Sequence, residues 1–143
     1  MSWWKELKGR VRFGEPLDKH TTFKIGGPAK YFIEPRDTGD LRLLLRAVKL
    51  HRLAPLIIGA GSNILASDRG VNAAVIQLSS PYFKALSFKN NYLEAGSGCM
   101  LSHLVTQAKK CGLSGAEFLA GIPGTVGGAL VMNAGAWQKN IGD

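Results

Sequence analysis

The sequence predicts an α+β chain in two small halves that meet near residues 79–81. Two observations carry this reading. Between Ala29 and Ile58 a strand, a helix and a second strand follow one another, the order of a βαβ unit. From Phe83 the pattern changes to two alternating runs around Lys89-Asn90-Asn91, which read as a hairpin, and then to a helix. The 143 residues are 45% hydrophobic and 20% charged, enough for a packed core, and 18 glycines against 6 prolines mark a turn-rich chain.

Residues 1–16 read as a lead-in. Trp3, Trp4, Leu7 and Val11 fall at helical spacing, which suits an amphipathic helix packed on the body of the protein better than one lying on a membrane. Next, His20 to Gly27 places two hydroxyls, a lysine and a Gly-Gly pair within eight residues. That segment can serve an anion, or it can be an edge strand closing on the Gly26-Gly27-Pro28 turn. Ala29–Glu34 is a strand ended by Pro35. Asp37–Leu53 is the clearest helix: Asp37 is a suitable N-cap, Asp40 favours the positive end of the dipole, and Leu41, Leu44, Leu45 and Val48 form the apolar stripe.

Pro55 blocks continuation of that helix, and the Leu56–Ile58 strand runs into Gly59-Ala60-Gly61-Ser62-Asn63-Ile64. Glycines at 59 and 61 allow left-handed backbone and leave N–H groups open to close approach. Successive N–H groups in such a turn form an anion nest, to which Ser62 and Asn63 add neutral donors. A phosphate cradle and an ordinary tight turn are both open on these residues alone. Val71–Leu78 resumes as a strand.

In the second half, a helix spans Met100–Cys111 with Gly112 as its stop. The segment Gly121-Ile122-Pro123-Gly124-Thr125-Val126-Gly127-Gly128 follows, then Asn133-Ala134-Gly135-Ala136-Trp137. If a short helix starts near Thr125, its N-terminus is a second place for an anion. Glycines inside that helix cost about 1 kcal/mol each relative to alanine, so something approaches the backbone there, either a ligand or a packed neighbour.

The net charge of +8 favours anionic partners, but the cations are spread over the N-terminus, one helix face and the end of a second helix, as on a solvated surface. A basic nucleic-acid binder would need a helix-turn-helix, zinc or aromatic RNA-binding pattern, and none is present. Cys99 and Cys111, about 18 Å apart if on one helix, are beyond disulfide reach. No spacing of Cys or His suggests a metal, no signal peptide or membrane span is read, and the expected setting is a reducing cytoplasm.

Taken in order, His20–Tyr31, Leu56–Asp68, Ala95–Gly98, Gly112–Phe118 and Gly121–Ala136 closely resemble the UDP-N-acetylenolpyruvoylglucosamine reductases (UDP-N-acetylmuramate dehydrogenases), flavoenzymes of bacterial peptidoglycan precursor synthesis. The resemblance covers Leu17 to Asp143. It implies an FAD-binding domain of the type shared with vanillyl-alcohol oxidase and p-cresol methylhydroxylase, with subdomains at 17–79 and 80–143 and FAD between them. It implies that Gly59, Ala60, Gly61, Ser62, Asn63 and Ile64 wrap the FAD pyrophosphate. By the same resemblance Ile122, Pro123, Gly124, Thr125, Gly127 and Gly128 line the cofactor, Asn133, Ala134, Gly135 and Ala136 lie toward the flavin, and Thr22, Gly26 and Gly27 belong to the cofactor-binding half. Ala60 stands where the family more often has a third glycine, and Trp137 where tyrosine is common.

In that family NADPH reduces FAD, and hydride then passes to the enolpyruvyl double bond of a UDP-sugar to give UDP-N-acetylmuramate. The family's proton-donating serine, its substrate-polarising arginine and glutamate and its UDP-holding tyrosine have no matching positions here. A C-terminal substrate domain is thus expected to be missing, and the 143 residues alone are expected not to turn over. Another flavin oxidoreductase of the same cofactor class and a non-catalytic nucleotide-binding fragment are the alternative readings.

Overall fold

The structure is a computed structural model and describes residues 2–142. Its centre is a four-stranded sheet of β1 (Arg10–Pro16), β2 (Pro28–Glu34), β3 (Pro55–Ile58) and β4 (Val71–Gln77), in the order β1-β2-β4-β3. Strand β1 is antiparallel to β2, whereas β2, β4 and β3 are mutually parallel. Pro55 opens an edge strand, where a missing N–H is tolerated.

Strand alternation sends successive residues to opposite faces. Ile33, Ala74 and Ile76 meet Leu44 and Val48 of α1 (Thr38–Leu50) on one face. Phe32 and Val75 meet Leu17, Ile58 and the half-buried Ile64 and Ala66 on the other. Strand β4 lies between β2 and β3, so the chain after Ile58 must return the length of the sheet before β4 can begin. Residues 59–70 make that return and cover the Phe32 face as they do so.

Helix α1 begins as expected, with the Asp37 carboxylate accepting from Asp40 N at 2.9 Å. It ends at Leu50 because Arg52 turns left-handed (φ 52°), with Arg52 N bonded to Lys49 O and Leu53 N to Val48 O. This is a Schellman motif. The stripe is narrower than its spacing suggested, since Leu45 is 41% exposed.

The lead-in is not the helix that its spacing suggests. Trp3–Glu6 form a single 3₁₀ turn, and residues 10–16 become strand β1. Gly14 at φ 61° and Pro16 oppose a helix there, while pairing with β2 satisfies the backbone. Trp3 and Trp4 pack on Phe13 and Tyr31 with ring centroids 5.2–6.1 Å apart. Asp40, 2% exposed, fastens the segment: its carboxylate accepts from Lys8 N and Gly9 N at 2.9 and 2.8 Å and from Arg36 N at 2.9 Å.

The second half holds the hairpin β5 (Leu86–Lys89) and β6 (Tyr92–Ala95), α2 (Leu101–Lys110), α3 (Val126–Val131) and a short hairpin of β7 (Gly135–Ala136) and β8 (Lys139–Asn140). Asn90 and Asn91, both left-handed, make the two-residue turn. Phe83, expected to begin the strand, instead sits buried in the preceding turn. Leu101, Leu119 and Ala129 form this half's core. The halves are tied by Ser80 Oγ donating to Arg36 O (2.8 Å) and Thr38 Oγ1 donating to Tyr82 Oη (2.9 Å).

Asp40→Ala removes a buried carboxylate that three backbone N–H groups share as acceptor and is expected to destabilise the fold by about 2–4 kcal/mol. A lowered urea midpoint with an unchanged m-value is the expected observation.

Candidate functional site

The turn after β3 lies at the carboxyl end of the three parallel strands, where open α/β sheets place ligands. The turn is anchored by its carbonyls. Gly59 O accepts from Gln77 Nε2 at 2.9 Å, and Gly61 O accepts from Thr22 N at 3.1 Å. Gly61 is left-handed (φ 71°), and a Cβ there would lie 1.9 Å from His20 O, so only glycine fits. By contrast, the N–H groups of Gly59, Ala60, Gly61, Ser62 and Asn63 donate to no other group among the described residues. Five successive free amides on a turn pinned by its oxygens form a cradle for an anion.

Three of the segments singled out in the sequence converge here. Thr22 N holds Gly61, while Ser62 Oγ donates to Pro123 O at 3.0 Å. A Cβ on Gly59 would lie 2.6 Å from Thr125 Oγ1, and one on Gly124 would lie 3.3 Å from Ser62 Oγ. The two glycine segments are therefore in contact, and the Ser62 hydroxyl bridges them.

Residues 20–27 form neither strand nor open cradle. After the 3₁₀ turn Leu17–His20, the buried Thr21 closes a tight turn by donating from Oγ1 to Ile25 O at 2.8 Å. Gly26 and Gly27 press on the return segment, where a Cβ would meet Ala66 Cβ at 2.6 Å and Asp68 O at 2.1 Å.

Helix α3 does begin at a Thr125 cap, but its N-terminus is closed. Val126 N bonds to Cys99 O, Gly127 N to Ser97 O, both at 2.8 Å, and Gly128 N to Thr125 Oγ1 at 3.2 Å. Gly127 packs on Ser97, so it answers a packed neighbour in this fold, while a Cβ on Gly128 would meet only the capping Thr125 Oγ1 at 3.3 Å. Asn133 is the left-handed residue that ends α3, and its Oδ1 accepts from Gly142 N at 3.1 Å. Ala134 joins the second core and Gly135–Ala136 form β7. Ile122 joins that core too.

Sequence reasoning missed two features beside the turn. Gln77 is one; a polar residue closing an apolar strand opposite Ile58 was its signal. The other is a charged group around Phe32. Arg12 lies over the Phe32 ring and reaches Glu34 at 2.5 Å, and His20 stacks on Phe32 with Nε2 2.9 Å from Glu15 Oε1. Burial pushes the Cys99 thiol pKa up, away from thiolate chemistry. Both cysteines are free.

Residues 29–142 match the FAD binding domain family. The chain belongs to that family. The cofactor is FAD, and the free amides of the turn fit its diphosphate. The chain is 45% identical over 128 residues to UDP-N-acetylenolpyruvoylglucosamine reductase 2 of Symbiobacterium thermophilum, covering 90% of this chain and 41% of that protein. It is 46% identical over 130 residues to the reductase of Caldicellulosiruptor bescii, covering 90% and 40%. The crystal structure of the reductase from Thermus caldophilus superposes with a TM-score of 0.75 at 36% identity, over 92% of this chain and 45% of that one. A solvent-stable cholesterol oxidase superposes at TM-score 0.72 and 18% identity, over 94% of this chain and 26% of that one, which shows the shared fold. The fold is thus α+β and of the vanillyl-alcohol oxidase FAD-binding type. The chain spans about two fifths of the length of the curated relatives it matches.

Gly61→Ala is expected to remove FAD binding in a flavin-fluorescence titration, because the methyl group collides with His20 O and the left-handed backbone is strained as well. The hydrogen bond to His20 and the nearby Arg12 charge hold Glu15 below its ordinary carboxylate value near 4.5. Ionised Glu15 therefore stabilises the fold fully above about pH 5, and the contribution disappears as pH falls through the lowered folded pKa. The urea-midpoint gap between the native chain and Glu15→Gln should be open at pH 7 and shrink as pH falls from the ordinary value near 4.5 through the lowered folded one.

Proposed function

We propose that this chain is the FAD-holding part of an NADPH-dependent reductase that converts UDP-N-acetylglucosamine enolpyruvate to UDP-N-acetylmuramate, a cytoplasmic step of peptidoglycan precursor synthesis. The observation that carries the reading is the carbonyl-anchored turn at Gly59–Asn63, read together with 45% identity to a reductase across 90% of the chain. Gly59, Ala60, Gly61, Ser62, Asn63 and Ile64 hold the diphosphate. Thr22 fixes the turn through its N–H, and Gly26 and Gly27 fix the return segment behind it. Pro123, Gly124 and Thr125 form the facing wall, joined through Ser62. Ile122, Gly127 and Gly128 shape that wall through packing, and Asn133–Ala136 set the chain's course beyond α3 toward the flavin.

On this reading the cofactor lies between subdomains 17–79 and 80–143. Two free cysteines, one of them buried, suit a reducing compartment. Bound FAD supplies the hydride chemistry; these residues bind it, orient it and leave its reacting end to groups outside this set. The family resemblance assigns no residue among 17–143 as proton donor or substrate-polarising group, so on this reading cofactor binding is measured apart from turnover.

The purified chain should quench added FAD saturably at one flavin per chain, while NADPH and the enolpyruvyl UDP-sugar remain unconsumed. Absence of FAD binding would overturn the cofactor assignment. Sustained NADPH oxidation that depends on the enolpyruvyl substrate would overturn the division between binding and turnover.

A further inference from the structure

Strand β4 ends at Gln77, opposite Ile58, and the backbone ladder between β3 and β4 ends with that pair. The half-buried Gln77 side chain adds one bond beyond it: its amide donates to Gly59 O at 2.9 Å. In a trans peptide the C=O and the following N–H point to opposite sides of the chain. Tying Gly59 O to Gln77 therefore directs Ala60 N–H away from β4. Thr22 N does the same for the next peptide but one, tying Gly61 O and directing Ser62 N–H away from residues 20–22. One anchor is backbone, so no substitution but proline removes it. The other is a side chain, and its chemistry is specific to an amide: a carboxylate at that place would repel Gly59 O, and an apolar chain would leave the peptide free to rotate.

We propose that Gln77 is a positioning residue for the diphosphate of the dinucleotide: it sets the Gly59–Ala60 peptide plane, and with it the direction of an amide that meets the anion. The inference rests on the FAD reading above. Gln77 itself touches no phosphate. It acts by preorganisation, removing the rotation that the turn would otherwise have to give up on binding.

The test compares FAD affinity of the whole chain with that of Gln77→Met and Gln77→Glu, by flavin fluorescence and by ³¹P NMR of bound FAD. At pH 7.5 both variants are expected to bind FAD at least about tenfold more weakly, a loss of the size of one hydrogen bond. Their bound diphosphate resonances should shift, while the urea midpoint of the cofactor-free chain stays close to that of the native one. Protonation turns a glutamate into a donor, so lowering the pH to about 5 should bring Gln77→Glu back toward native affinity at that pH, and Gln77→Met should not recover. Native affinity and unshifted ³¹P signals in Gln77→Met would overturn the positioning role while leaving FAD binding intact. Failure of the native chain to bind FAD would overturn the functional reading itself. If Gln77→Met does not fold, the pH recovery of Gln77→Glu decides alone: recovery supports the role, and its absence overturns it.

Discussion

The parallel pairing of β3 with β4 is the constraint on which the rest depends. Parallel neighbours cannot be joined by a tight turn, so the chain after Ile58 has to travel back along the sheet. That journey fixes three things together. It places a sharp bend at the carboxyl ends of the parallel strands. It sends Ile64 and Ala66 across the Phe32–Val75 face, where they complete a core that would otherwise be open to water. It also leaves the bend with no strand partner of its own, so the amides of residues 59–63 stay unpaired while neighbouring groups capture the carbonyls of Gly59 and Gly61. The candidate binding surface arises here from the topology of the return and not from a dedicated insertion.

The glycines divide by what they permit. Gly61 permits a left-handed turn against the His20 backbone and so shapes the cradle. Gly127 permits α3 to lie against the Ser97–Cys99 turn, and the bonds from Val126 N and Gly127 N close that contact. Similar sequence signals thus have opposite consequences. At 59–63 the amides remain open, whereas in the first turn of α3 they are consumed. Ser62, whose hydroxyl looked like a further anion donor, donates to Pro123 O and holds the two segments together.

Features governed by neighbours in sequence were legible. The Asp37 cap, the Asn90-Asn91 turn and the Gly112 stop each depend on residues within a few positions, and each forms as its local chemistry requires. The order of elements was legible for the same reason, and the family resemblance named the cofactor. What escaped depends on distant partners. Strand β1 was hidden because Trp3, Trp4, Leu7 and Val11 mimic a helical stripe; their aromatic rings serve Phe13 and Tyr31 instead. Asp40 looked like a favourable charge in a first helical turn, yet its main partners lie more than thirty residues away in the lead-in. Separation along the chain also hid the closure of α3 by residues 97–99 and the bond from Gln77 to Gly59.

The basic character of the chain has a smaller part in this than its magnitude suggests. Arg42, Arg46, Lys49 and Arg52 are exposed on the outer side of α1 and just beyond it, and Lys109 and Lys110 are exposed at the end of α2, where they favour the helix dipole. Arg12 is engaged with Glu34 over Phe32. The turn offers neutral amides, and on the proposed reading these are what an anion meets. Exposed cations raise the encounter rate with a charged ligand, and salt screens that effect over about 8 Å at physiological strength. Oriented amides in contact with the ligand are screened far less, but they act only if the peptide planes already face the anion. On the proposed reading, recognition at this turn is set by the groups that hold the carbonyls, and that gives a side chain at the end of β4 its role at a surface it does not touch.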